Sequence, residues 1–251
     1  MPPTSGKVLG VIPARLGSER LARKPLQLLA GRPLIEVVWQ RVAAFNAVDE
    51  LIVATDAEEI AEVCRKAGAL VEMTSPTHQS GTERVAVVAE RHPDFGVVVN
   101  IQGDEPFVAE EHIRGSAELV LRGWDIGTPA APVGTLEAWR DPAAVKVVRG
   151  DDGAALYFSR SPIPHKRDGN PTPTELSSPA FLRHIGVYAY ARDALLRYVR
   201  LPATVLERIE RLEQLRALAA GMRIGVVIAR EGAVGVDTPQ DLAHAQALLR
   251  R

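Results

Sequence analysis

Apolar runs and stretches of helical period alternate along the first part of the chain. The first run, Val8-Leu9-Gly10-Val11-Ile12, has the length and β-branched content of a strand buried on both faces, as in a parallel sheet. Pro13 has no N–H to donate and ends it. A helix is predicted over about 33–45, with Pro33 at its start and Leu34, Val38, Val42 and Phe45 as its apolar stripe. A second strand covers Glu50–Thr55. Asp56 with Glu59 then reads as the cap and box partner of a helix running to Ala67, which Gly68 ends. Leu70–Met73 is a short third strand. Ser80 and Glu83 have capping-box spacing and open a helix from Gly81 to about Arg91. The fourth strand, 97–101, is the most hydrophobic and should be central. Such alternation predicts an α/β fold around a mostly parallel sheet with right-handed crossovers.

After Gly127 the pattern is less regular. Strands are predicted at 127–133, 144–148 and 155–159, the last two joined as a hairpin through Asp151-Asp152-Gly153. The polar, Pro-rich stretch 163–179 reads as a mobile loop, and 181–190 alternates from Ile185 onward. One helix is predicted over 207–220, ended by Gly221, with an apolar arc of Leu206, Ile209, Leu212, Leu215 and Ala219. Glu213 and Arg216 project onto that arc and so read as buried. Either they pair with each other or one of them meets a substrate. A last strand over 223–229 leads to Gly235-Val236-Asp237-Thr238-Pro239, where Thr238 or Asp237 can cap the helix that Pro239 starts. The expectation is a single domain over 1–251, with a smaller mixed lobe at roughly 133–222 for a second substrate and a dimer surface.

Composition narrows the classes. At 251 residues, 46% hydrophobic and 24% charged, the chain is long enough for one large α/β domain. A net charge of −1 argues against a general nucleic-acid or membrane-surface binder. The single cysteine, Cys64, excludes an internal disulfide and a cysteine-based zinc site, and its helical spacing with Ile60 makes it a core residue. No run approaches a membrane span and no signal h-region is seen, so a cytoplasmic protein is expected.

The informative charge is local. Arg15, Arg20, Arg23 and Lys24 stand against one acid, Glu19, in the loop after the first strand. Open α/β sheets bind ligands at that edge, and the charge suits a triphosphate, with Arg15 as a fork and Lys24 as a point charge. A solvated loop with ordinary salt bridges accounts for the same residues without a ligand. The loop is neither GxGxxG nor GxxxxGK[ST]. Gln102-Gly103-Asp104-Glu105-Pro106 follows the fourth strand and puts Asp104 at the same edge, with Gly103 allowing an unusual backbone angle. A carboxylate beside a triphosphate calls for a hard cation such as Mg²⁺ between them; otherwise Asp104 is a turn residue. Asp237 is a helix cap or a second ligand of the same metal. The amides opening the helix at Gly81, with the hydroxyls of Ser80 and Thr82, can contact a ligand or simply begin a helix.

Ile12-Pro13-Ala14-Arg15 with Ser18, Arg20 and Lys24-Pro25-Leu26 resembles the nucleotide loop of sugar-activating cytidylyltransferases. The segments 78–84 (HQSGTER), 100–106 (NIQGDEP), 144–148 (AVKVV), 156–160 (LYFSR), 181–184 (FLRH), 213–216 (EQLR) and 235–239 (GVDTP) extend the likeness from Val8 to Leu249. Together and in order they resemble the 3-deoxy-manno-octulosonate cytidylyltransferase (CMP-Kdo synthetase) family of lipopolysaccharide biosynthesis. The resemblance implies a Rossmann-like nucleotidyltransferase fold, usually a homodimer, that uses Mg²⁺ and converts CTP and Kdo to CMP-Kdo and pyrophosphate. It implies Arg15 and Lys24 on the triphosphate, Asp104 and Asp237 on Mg²⁺, and Ala14, Ser80 and Gln102 near the cytidine or the sugar. Arg160, His184, Tyr188 and Glu213 would contact Kdo. Two departures stand out: Arg23 where the family commonly has Gly, and His165 where it commonly has Trp. Sister transferases of other sugars, sialic acid being nearest, and a nucleotide-binding module without catalysis remain as alternatives. Retention of Lys24, Asp104 and Asp237 favours the enzyme.

Overall fold

The computed structural model describes residues 3, 5–17, 21–78 and 80–249. They divide into two compact units, Ser5–Arg114 with the chain from Ala233 onward, and Gly115–Gly232. The lobe expected at 133–222 lies within the second unit.

In the first unit, β1 (Val8–Ala14) leads through a ribbon of β2 (Leu28–Leu29) and β3 (Arg32–Pro33) into α1 (Leu34–Ala43). Then come β4 (Glu50–Thr55), α2 (Glu58–Lys66), β5 (Leu70–Met73), α3 (Gly81–Arg91) and β6 (Val97–Asn100). The four long strands are parallel, in the order β5-β4-β1-β6. Successive strands step outward from β1 to β5, and the chain then returns to the other side of β1 for β6. The crevice between β1 and β6 is therefore the switch point at which such sheets bind ligands. Leu9, Val11, Ile12, Val97, Val98 and Val99 have no exposed surface, in keeping with strands covered on both faces. Burial of each such side chain is worth roughly 1.5–3 kcal/mol. Leu34, Ile35 and Val38 of α1 and Ile60 and Cys64 of α2 are equally buried. Burial pushes the Cys64 thiol up to about 12, so it is a core residue and not a nucleophile.

One local reading fails here. Asp56 does not cap α2; Ala57 holds the N-cap position without a side-chain bond. Asp56 turns instead to Arg84, 2.8 Å away, whose side chain is 2% exposed. An enclosed guanidinium loses far more without its carboxylate than an exposed helix end loses without a cap.

The second unit begins within α4 (Glu110–Leu121) and continues through β7 (Ile126–Pro132), α5 (Leu136–Arg140), β8 (Lys146–Arg149) and β9 (Ala155–Ser159). It goes on with α6 (Pro173–Leu176), β10 (Leu182–His184), β11 (Tyr188–Ala191), α7 (Arg192–Tyr198), α8 (Val205–Glu210), α9 (Gln214–Ala219) and β12 (Ile224–Ile228). The last helix, α10 (Pro239–Leu248), belongs to the first unit, where Gln246 donates to the carbonyl of Leu28 at 3.1 Å. β7 pairs antiparallel with β10 and β11 and parallel with β12. β8 lies antiparallel between β10 and β9, and the expected hairpin joins β8 to β9. No reading of the sequence anticipated α4, although Ile113, Ser116, Ala117 and Val120 are buried at helical spacing.

Two further readings are corrected. The stretch 163–179 carries α6, with a Thr172–Glu175 capping box. Lys166 pairs with Glu175 at 2.7 Å, and Trp139 Nε1 donates to the Ile163 carbonyl at 3.2 Å. Leu176 joins Val133, Trp139 and Phe181 in a small buried cluster. The helix expected over 207–220 is in fact two, α8 and α9, broken at Arg211 with φ 53° and ψ 49°. The break turns Val205, Leu206 and Ile209 outward. Arg216 pairs with Glu207, Nε to Oε2 at 2.8 Å, and is also attracted by Glu213, which is exposed. Among the described residues no helix is long and apolar enough to cross a membrane.

Arg211 occupies the left-handed region, which costs an L-residue roughly 1–2 kcal/mol and glycine little. Arg211→Gly should therefore unfold no earlier than the parent. Arg208→Gly, within α8, should lose roughly 0.5–1 kcal/mol. Thermal unfolding of the two variants checks this; an equal loss in both would mean that the helix is not broken at Arg211.

Candidate active site

The carboxyl ends of β1 and β6 open on a cavity of about 770 Å³, within the range of small-molecule sites. Every lining residue belongs to the first unit. β1 contributes Pro13 and Ala14 and runs on to Arg15, and the segment after β6 contributes Gln102, Gly103 and Asp104. Close packing holds these pieces together. A Cβ on Gly103 would lie 3.1 Å from the Pro13 carbonyl oxygen, and one on Gly81 would lie 3.2 Å from Pro13 Cγ. Gly103 is thus required for close approach, not for the unusual backbone angle expected of it; it is not among the positive-φ glycines.

Lys24 begins a 3₁₀ turn, Lys24–Leu26. Its ammonium donates to Asp104 and, at 2.9 Å, to Asp237 Oδ1. Asp237 is brought there by a backbone bond from Val236 N to the Asp104 carbonyl, 2.8 Å long. Thr238 takes over the capping of α10, its hydroxyl accepting from Asp241 N, so the Asp237 carboxylate need not serve the helix end. Burial opposes the charge on Lys24, but the two aspartates outweigh it and raise its pKa, so the ammonium persists at neutral pH.

Arg23 stands at φ 52° and ψ 36°, where glycine is favoured. The departure from the family's usual Gly therefore falls on a strained position, and the Arg23 guanidinium pairs with Glu59 of α2. His165, the other departure, is exposed.

Of the residues singled out from sequence, Ala14, Arg15, Lys24, Gln102, Asp104 and Asp237 line this one cavity. Ser80 is spent as the cap of α3, its hydroxyl accepting from Glu83 N at 3.2 Å; the following Gly81 lines the cavity. Thr82 is buried. Ser18, Glu19, Arg20 and Gln79 lie outside the described residues. Arg84 was missed. It lines the cavity, holds Asp56 and Thr74, and ties the ends of β4 and β5 to α3. Arg84 stands directly before the apolar run Val85–Ala89 of α3, beside Glu83, where a solvent-facing charge is the ordinary reading.

Arg160, His184, Tyr188 and Glu213 all belong to the second unit. β9 and β10 both run antiparallel to β8, so Arg160 and His184 leave the same end of that sheet. Arg160 donates to the carbonyls of Glu210 at 2.8 Å and Pro142 at 3.0 Å. The His184 ring lies between Phe158, edge-on at 5.3 Å, and Tyr188 at 5.1 Å, with Thr128 Oγ1 2.9 Å from Nε2. Enclosure pulls its pKa down to about 3, so it is neutral at pH 7 and supplies no positive charge. Glu213 is exposed, and its carbonyl accepts from the Tyr198 hydroxyl at 2.9 Å.

The sequence model of the cytidylyltransferase family matches residues 9–224. A 3-deoxy-manno-octulosonate cytidylyltransferase of Gemmatimonas aurantiaca is 50% identical over 243 residues, covering 95% of this chain and 92% of the relative. One from Leptospira biflexa is 42% identical over 240 residues, covering 95% and 94%. The solved structure of a CMP:2-keto-3-deoxy-manno-octonic acid synthetase in complex with CTP superimposes with a TM-score of 0.88 at 35% identity, covering 97% of this chain and 98% of that one. The 4-diphosphocytidyl-2C-methyl-D-erythritol synthase of Anaerococcus prevotii shares the fold, with a TM-score of 0.64 at 16% identity and coverage of 98% and 97%. The architecture is the Rossmann-like α/β nucleotidyltransferase fold.

The enclosed His184 has a consequence for stability. Its folded pKa lies below the unfolded value near 6.5, so as pH falls the unfolded chain takes up a proton that the folded chain refuses. The folded state should lose up to about 1.4 kcal/mol per pH unit below about pH 6.5 from this group. His184→Asn, which keeps a donor and cannot titrate, should show a shallower fall of melting temperature between pH 6.5 and 5. Identical slopes in parent and variant would mean that His184 titrates freely.

Proposed function

The chain belongs to the 3-deoxy-manno-octulosonate cytidylyltransferase family, and from that membership we propose how its residues transfer CMP from CTP to Kdo with release of pyrophosphate. The observation that carries the reading is the convergence of Lys24, Asp104 and Asp237 at the β1/β6 switch point. The triphosphate lies in the cavity of the first unit. Arg15 and Lys24 supply positive charge to it, and the two aspartates hold the ammonium in place before substrate arrives, so little reorganisation remains for the transition state. Ala14 and Gln102 border the nucleotide, and Ser80 fixes the start of α3 beside them.

The donor set at this point fits a hard divalent cation. Two carboxylates already converge on one positive centre, and Mg²⁺ is commonly held by one or two carboxylates, with substrate phosphates and water completing its shell. Asp104 and Asp237 would hold it. Bound there, Mg²⁺ supplies neutralisation of the phosphate charge. The chain's own residues then orient the reaction. The anomeric hydroxyl of Kdo forms a bond to the α-phosphorus as the α–β bridging bond breaks; pyrophosphate leaves with that electron pair, and the hydroxyl proton passes to solvent. The second unit receives the sugar acid through Arg160, with His184 as a neutral donor and Tyr188 as a packing wall. Glu213 is retained as a sugar contact on the resemblance alone. A homodimer is the expected assembly, supported by the exposed apolar side chains of Leu156 on β9 and Val205, Leu206 and Ile209 on α8.

Pyrophosphate release should require CTP, Kdo and Mg²⁺ together. Asp104→Asn and Asp237→Asn should each fold normally and lose most of this activity across a Mg²⁺ titration, and the double variant should lose little more. Lys24→Ala should lower the maximal rate by roughly a hundredfold. Full activity of Asp237→Asn at low Mg²⁺, with an unchanged melting temperature, would return Asp237 to a purely structural role.

A further inference from the structure

Lys146, the first residue of β8, has no exposed surface. Its Nζ donates to three backbone carbonyls, those of Asp141 at 2.8 Å, Arg160 at 2.6 Å and Ala144. Three acceptors need three N–H groups, and only the ammonium form has them. None of the three is a carboxylate. Asp141 and Glu210 attract the charge from farther off, and Arg160 opposes it. The Glu210 carboxylate is itself engaged, by Ser159 Oγ at 2.6 Å and Arg160 N at 3.0 Å. Burial alone would drive such a lysine toward neutrality. Burial does lower its pKa, and the three carbonyls bind the ammonium form that carries the charge.

The register shows what lies around that charge. Lys146 pairs with Ser159 on β9 and with Arg183 on β10, so the next position, Val145, is the one flanked by Arg160 and His184, and Lys146 stands one residue inward of that edge. Neighbouring strands are about 4.8 Å apart, which places Arg160 and His184 on either side of Val145 within about 10 Å of each other. The same short segment serves both. Lys146 binds the Arg160 carbonyl, and the adjacent Val145 carbonyl accepts from His184 N at 2.8 Å. With His184 neutral, the positive charge at this end of the sheet comes from Arg160, Arg183 and Lys146, and of these three only Lys146 is fully buried.

We infer that Lys146 is a positioning residue that favours the carboxylate of the sugar acid, holding the Arg160 backbone and placing a buried charge behind the strand ends that carry Arg160 and His184. The inference rests on the assignment of Kdo to Arg160 and His184. All three donors of Lys146 are spent on the backbone, so its effect on the ligand is electrostatic and not a direct contact. A lysine serving only the fold would have no reason to distinguish a charged ligand from a neutral one of the same shape.

The test compares Kdo with its C1 carboxamide, which keeps the shape and lacks the charge, in the parent and in Lys146→Met. The variant should raise KM for Kdo roughly tenfold or more, the scale of one interaction with a charged group, with kcat and the KM for CTP within about twofold. Its preference for acid over amide should shrink by the same factor. Equal weakening toward acid and amide would overturn the electrostatic role. Should Lys146→Met fail to fold, the parent still decides through the ¹⁵N resonance of Lys146 Nζ. Kdo should raise the lysine's pKa and the amide should not; a pKa indifferent to both would overturn the proposal. A parent that binds neither ligand, while still binding CTP, would instead refute the assignment of Kdo to this unit.

Discussion

Two carboxylates from remote parts of the chain meet one ammonium, and the first unit's site depends on that meeting. Asp104 and Asp237 would repel each other at the edge of the sheet, and both would repel a triphosphate. Lys24 removes the first conflict, with the backbone bond from Val236 to Asp104 fixing the register of the two segments. The second conflict is what a divalent cation resolves. The fold places this arrangement where strand order reverses between β1 and β6, so the same crevice that admits a ligand carries its charged groups. Gly81 and Gly103 let their segments pack closely against Pro13, which sets the walls of the crevice.

The second unit treats charge differently. Two of its cations are held by backbone carbonyls: the buried Lys146 by three, and the half-buried Arg160 by those of Glu210 and Pro142. Carbonyl dipoles stabilise a cation without cancelling its charge, so positive potential survives for an anionic ligand. In the first unit, by contrast, Lys24 is neutralised by carboxylates that can be given over to another cation. The contrast suits the two substrates, since a triphosphate arrives with metal and a sugar acid does not need to.

Much of this was legible in the sequence. β1, β4 and β6 followed from apolar runs ended by turn residues, and Asp104 and Asp237 each follow a strand and a glycine, which placed both at one sheet edge. What escaped depended on partners distant in sequence. Asp56 has ideal capping spacing, but no local pattern reveals that Arg84 is buried and competes for it. The 207–220 stretch keeps helical period throughout, and Arg211 enters a left-handed conformation without the glycine that would have announced the break. That break freed Arg216 to reach Glu207 and left Glu213 exposed. Arg84 and Lys146 were invisible for a related reason: a charged residue beside or inside an apolar run reads as solvent-facing until its enclosed partners are seen.

The central claim is that Asp104 and Asp237 share one divalent ion and that Lys24 stands in for it when substrate is absent. Anomalous diffraction from crystals grown with CTP and Mn²⁺ tests this most directly. The account predicts one manganese peak in contact with a carboxylate oxygen of each aspartate, at roughly metal–oxygen bonding distance, with Lys24 displaced from at least one of them toward the phosphates. Manganese bound elsewhere, with Lys24 still bridging both carboxylates, would contradict it.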